Sequence, residues 1–142
     1  MVESTNTVAM KYHRELRVPK SFVDDGNVTC GFVAYLGLAA DPKTPAKCRA
    51  ISWSYMGDLA SPHPDFELGG IGTGYFYYCR AIELDPECIS AWCGIVREYS
   101  DRDPGHRDTM LYHQGMEFLD DNCNALSPNE QRQFEEAKQR RK

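Results

Sequence analysis

Gly74-Tyr75-Phe76-Tyr77-Tyr78-Cys79-Arg80-Ala81-Ile82-Glu83-Leu84-Asp85-Pro86, followed after five residues by Trp92-x-x-Ile95-Val96-x-x-Tyr99, decides how this chain folds. The first stretch reads as an apolar helix that stops at Asp85-Pro86, where an acceptor side chain precedes a residue with no amide hydrogen. In the second, Ile89, Trp92, Ile95, Val96 and Tyr99 fall at the three- and four-residue spacings of one helical face. So short a break makes the second helix turn back on the first, so that neighbours pack antiparallel.

Outward from there the same landmarks recur. Helix ends read Ala40-Asp41-Pro42, Leu84-Asp85-Pro86 and Leu126-Ser127-Pro128, with prolines 44 and 42 residues apart. Ten residues before each proline stands a phenylalanine: Phe32, Phe76 and Phe118. Six residues after the last two prolines come Trp92 and then Phe134. An aromatic at fixed distance from a recurring helix break is the trace of stacked two-helix units, each burying an apolar face on the next.

Other helix signals agree. Ser127-Pro128-Asn129-Glu130 combines a cap, a first-turn proline and the acid of a capping box. Thr44-Pro45 and Asp103-Pro104 follow the same cap-then-proline logic. Strand signals are nearly missing: no run alternates apolar and polar residues, and Asp25-Gly26 leads into a helical pattern rather than a second strand. The pattern allows a helix near residues 7–17 and predicts helices near 28–40, 45–60, 72–84, 87–101, 106–121 and 127–141. One domain over 1–142 is expected: an N-terminal segment 1–27, two to three helix pairs over 28–126, and a terminal capping helix over 127–142.

At residues 74–99 the chain resembles a tetratricopeptide repeat. Residues 74–86 are similar to that family's second helix with its terminal proline, and Trp92-x-x-Ile95-Val96-x-x-Tyr99 to the start of the next first helix. An earlier copy reads Trp53-x-x-Met56-Gly57-x-x-Ala60. The spacing of 42 to 44 exceeds the family's ~34 residues, which places an insertion at Ser61-Pro62-His63-Pro64 and the glycines after it. Val96 and Gly74 stand where the family has a small residue and an alanine. Longer helical repeats of the Sel1-like type share this logic. The resemblance implies an all-α fold of antiparallel helix hairpins stacked as a short solenoid, with the first helix of each pair lining a concave groove. Groove-facing, partner-binding positions then fall on Ser54 and Asp58, on Ser90, Cys93, Arg97 and Asp101, and on Arg132 and Glu135 of the last helix. Arg97 is the foremost of these, because a guanidinium grips a carboxylate through two hydrogen bonds.

Composition narrows the function classes. An apolar fraction of 42% and a charged fraction of 26% are those of an ordinary globular chain. A net charge of −5, from 16 basic and 21 acidic residues, argues against a dedicated nucleic-acid binder. Residues 127–142 alone carry +2, with Phe134 and Ala137 as a thin apolar stripe, which suits a helix stacked on one side and solvated on the other. No apolar run approaches the ~20 residues of a bilayer span, and the polar start lacks the pattern of a secretory signal, so the expected location is the cytoplasm. There the six cysteines, at 30, 48, 79, 88, 93 and 123, read as free thiols rather than a disulfide framework.

No catalytic or metal-binding motif stands out. His106 and His113 lie seven residues apart, about 10.5 Å along a helix, too far for one ion. Neither a nucleophile elbow nor a local cysteine signature is present. The run Gly69-Gly70-Ile71-Gly72-Thr73-Gly74 precedes a helix and could cradle a phosphate, but the strand such loops follow is missing. The expectation is therefore a module without catalytic residues, metal or cofactor: an acidic adaptor, chaperone-like or immunity-type protein that binds a protein or peptide partner. The exposed ends of a short array also permit homo-oligomers. The alternative is a helical enzyme or small-ligand-binding domain that uses the Gly69–Gly74 loop cleft.

Overall fold

The structure, a computed structural model, describes residues 2–60, 74–101 and 110–141. Among these the chain is all-helical and contains no strand. The helices are α1 (Thr5–Lys11), α2 (His13–Asp24), α3 (Val28–Ala40), α4 (Ala46–Ala60), α5 (Tyr75–Leu84), α6 (Ile89–Asp101), α7 (Met110–Asp121) and α8 (Pro128–Arg141). None is long and apolar enough to cross a membrane.

The N-terminal region holds more helix than the sequence suggested. In place of one helix near 7–17, α1 and α2 meet at Tyr12, whose φ of −109° and ψ of 29° interrupt the helical path. α2 then runs on through Pro19. A proline there removes the bond to the Glu15 carbonyl, but Leu16 and Pro19 are both buried, so tertiary packing holds the helix. Gly31 makes that packing close: a Cβ at its position would lie 2.5 Å from Val23 Cγ2. α2 stops at Gly26, which has a φ of 83°. The Gly26 amide donates to the Val23 carbonyl and the Asn27 amide to that of Phe22, at 3.0 and 2.8 Å. This is a glycine-terminated helix end. Asn27 then caps α3, its Oδ1 accepting from the Cys30 amide at 3.2 Å.

The two proline breaks are built alike. Asp41 Oδ1 accepts from the Lys43 amide at 2.9 Å, and Asp85 Oδ1 from the Glu87 amide at 3.1 Å. Both aspartates are extended, as a residue before proline prefers, and each side chain closes the turn. The aromatic landmarks also find a common setting in two of three cases. Phe76 of α5 packs edge-on against Trp53 of α4 at 6.3 Å between ring centres, and Phe118 of α7 packs against Trp92 of α6 at 5.8 Å. Phe32 of α3 instead meets Tyr77 of α5, at 5.6 Å and 90°.

Every helix from α1 to α6 packs on its successor. Beyond these neighbours, α4 packs on α6 and α6 on α8. α4 and α8 thus lie on either side of α6, and α6, flanked by α4, α5, α7 and α8, is buried on most of its surface. The core contains Ile51, Met56, Tyr77, Tyr78, Ile95, Tyr112 and Leu119, all 2% exposed or less. Each such side chain contributes roughly 1.5–3 kcal/mol of burial free energy.

Candidate functional site

The expected groove positions divide into three groups. Ser54 and Ser90 are buried with their hydroxyl oxygens 2.6 Å apart, so they bridge α4 to α6 inside the stack. Cys93 is buried on α6 as well, and desolvation pushes its thiol far above the usual range. The physical reason is lateral packing. A solenoid drawn from sequence leaves the first helices bare, whereas here α1 packs on α4 and α8 on α6. The N-terminal residues close the seam further: Glu3 pairs with Lys47 at 2.7 Å, and the Thr5 hydroxyl donates to Glu130 at 2.7 Å. Only a space of about 10 Å³ survives where Thr5 and Val8 face Ile51, Ile89 and Ser90.

Asp58 and Arg97 form the second group, and the structure brings them together around Tyr78. The Tyr78 hydroxyl donates to Asp58 Oδ1 at 2.7 Å, and Arg97 Nη2 donates to the same phenol oxygen. Arg97 Nη2 also lies 3.5 Å from Asp58 Oδ1. One residue from each of α4, α5 and α6 is thereby tied into a knot. The Tyr78 ring is wholly buried, and three glycines make room for it: a Cβ at Gly57, Gly74 or Gly94 would overlap the ring. Burial, with the Asp58 charge beside it, holds the phenol protonated far above its usual range. Desolvation likewise raises the Asp58 carboxyl, with Arg97 and Tyr78 pulling the other way. Burial opposes the charge on Arg97, but Tyr78 and Asp58 outweigh it and keep the guanidinium charged. The side chains of Asp58 and Arg97 retain 43% and 28% of their accessible surface, so the knot's charged end meets solvent while its phenol does not. With the Arg97 charge answered from within the chain, the group joins three helices.

Arg132 and Glu135 make up the third group, exposed on α8 and engaged along their own helix with Asn129 at 2.5 Å and Lys138 at 3.3 Å. The Asp101 side chain, residues 61–73 with most of the glycine run, and His106 lie outside the described residues. Gly74 lies inside them as the residue before α5, backed against Tyr78 and the Gly57 carbonyl.

A cleft that sequence reasoning missed opens at the other end of the chain. About 860 Å³ in volume, it is walled by α1 and α2 on one side and by Tyr35 of α3 and Tyr55 of α4 on the other. The tyrosine rings lie 5.3 Å apart at 57°, forming an aromatic wall. Burial pushes the Tyr35 phenol up to about 12, and the Tyr55 phenol higher, so both are neutral hydrogen-bonding groups at ordinary pH. Opposite them, His13, Arg17, Lys20 and Asp24 form a polar edge along α2. Their spacing of four, three and four residues is the available sequence signal, since it marks one helical face. The helix expected near 7–17 ends before Lys20 and Asp24, so only His13 and Arg17 of this face fell within it.

Among the described residues no group of three or more His, Cys, Asp or Glu side chains is arranged to hold a metal ion. Comparison of the chain with protein-family models, with curated proteins and with solved structures finds no match.

Proposed function

We propose that this chain is a protein-interaction module, a short array of helix hairpins similar in logic to tetratricopeptide repeats, which holds a segment of a partner protein in the cleft between α2 and the Tyr35–Tyr55 wall. The observation that carries this reading is the cleft itself. Its volume of about 860 Å³ falls in the range of specific binding sites, roughly 300–1,000 Å³, and its wall is aromatic while its edge is charged. Such a surface anchors an apolar side chain and orients polar groups around it.

The repeat reading draws support from the paired Asp-Pro turns and from the matching Trp53–Phe76 and Trp92–Phe118 contacts. The docking surface shifts, however, from the seam between first helices to the N-terminal side, because Ser54, Ser90 and Cys93 are already packed within the chain. Asp58, Arg97, Arg132 and Glu135 keep solvent access.

The test is selection of a displayed random-peptide library on the full chain, followed by backbone amide NMR with an enriched peptide. The expected result is reproducible enrichment, with shift changes concentrated on α2, Tyr35 and Tyr55. Absence of enrichment, or shifts confined to α7 and α8, overturns the proposal.

A further inference from the structure

The charges along the cleft are not equivalent. Lys20 and Asp24 satisfy each other at 2.7 Å. Arg17 and Asp25 also line the cleft, and neither side chain has an ion pair or hydrogen bond among the described residues. Arg17 lies on α2 and Asp25 directly follows its last residue, eight positions on, about 12 Å along the helix axis. The helix's own field runs in the same sense. Its N-terminal end, positive by alignment of peptide dipoles, lies at His13, and its negative C-terminal end lies at Asp24 and Asp25. The cleft is therefore polarised end to end, with the Tyr35–Tyr55 wall as its apolar side.

We infer that the cleft takes a short amphoteric peptide in extended form, with an acidic side chain at Arg17, a basic one at Asp25 and an apolar one between them against Tyr35 and Tyr55. The inference rests on the peptide-binding reading above and deepens it. An extended chain advances about 3.3 Å per residue and points alternate side chains the same way. Residues at positions one, three and five of such a segment share one side and span about 13 Å, which matches the distance between the two free charges.

The experiment uses three blocked pentapeptides, acetyl-Glu-Gly-Leu-Gly-Lys-amide and its Glu/Glu and Lys/Lys analogues, titrated by NMR against the full chain and against Arg17→Glu and Asp25→Lys variants. Both positions are exposed, and thermal melts confirm that the variants stay folded. The wild-type chain is expected to favour the amphoteric peptide about tenfold at low salt, since each analogue turns one attraction into a repulsion. Arg17→Glu shifts the preference to the Lys/Lys peptide, and Asp25→Lys shifts it to the Glu/Glu peptide. Equal affinity for all three peptides, or variants that leave the order unchanged, overturns the inference. So does tighter binding by a helical peptide carrying the same groups at positions one, four and eight. If library peptides bind the aromatic wall but the charge order fails, only this inference falls. If neither library nor pentapeptides bind, the interaction reading falls with it.

Discussion

Tyr78 shows how much a single ring can organise. Its hydroxyl joins Asp58 to Arg97, and its faces require glycine at three positions on three different parts of the chain. Gly94→Ala places a methyl group inside that ring's volume, so we expect a loss of about 1–3 kcal/mol from overpacking, read as a lower urea midpoint. An unchanged midpoint would show that the ring moves aside freely. The sequence marked Arg97 as exceptional but assigned it to an external carboxylate, because its acidic partner Asp58 is 39 residues away and meets it only through the fold. Gly57 and Gly94, each inside a strong helical pattern, were the legible hint of close approach. A second residue-scale prediction concerns alkaline pH. Below pH ~10 Tyr35 is protonated whether the chain is folded or not. Between there and about 12 the unfolded chain releases the proton and the folded one keeps it, so stability falls as pH rises through that window. Tyr55 and Tyr78 reinforce the trend. A tyrosinate absorbance titration should show these phenols ionising together with loss of helical circular dichroism; early, independent ionisation with the fold intact would contradict their burial.

Among the elements, α8 is the best anticipated. Ser127 and Glu130 form the reciprocal cap that the sequence spelled out: the Ser127 amide donates to Glu130 Oε1 at 2.9 Å, and the Glu130 amide to Ser127 Oγ at 3.2 Å. Ser127→Ala is expected to cost about 1 kcal/mol by loss of the cap. The helix starts at 46, 75 and 89 fall one to three residues after the positions read from sequence, while α3 spans the range read for it. These elements were legible because their caps, prolines and apolar periods all agree. α2 was not, because the proline within it is overruled by burial that no local pattern reveals. What also lay beyond the sequence is the second use of Glu130, whose Oε2 accepts from Thr5. In a double-mutant cycle, Thr5→Val and Glu130→Gln should couple by roughly 0.5–3 kcal/mol. Strict additivity would mean that the bond contributes nothing in solution.

For the molecule as a whole, the N-terminal segment is tied to α8 through this bond and to α4 through Glu3–Lys47. Deleting residues 2–12 should therefore lower the denaturation midpoint and also speed amide exchange in the first turn of α8, more than a hundred residues along the chain. Unaltered protection there would show that α1 is a detachable appendage. The landmarks in the sequence predicted an all-helical chain, but not which surfaces its packing would leave open. The cleft is walled by two helices that meet at Tyr12, and a backbone angle at one residue has no compositional signature. The bond between Thr5 and Glu130 also sets an order of events during synthesis. Its two partners are separated by 125 residues, and at the ~5–20 residues per second of ribosomal elongation the opening helix spends roughly 6–25 seconds waiting for its acceptor to be made. Until then only its contacts with α2 and α4 and the Glu3–Lys47 pair hold the opening helix, and its tie to α8 is the last to form.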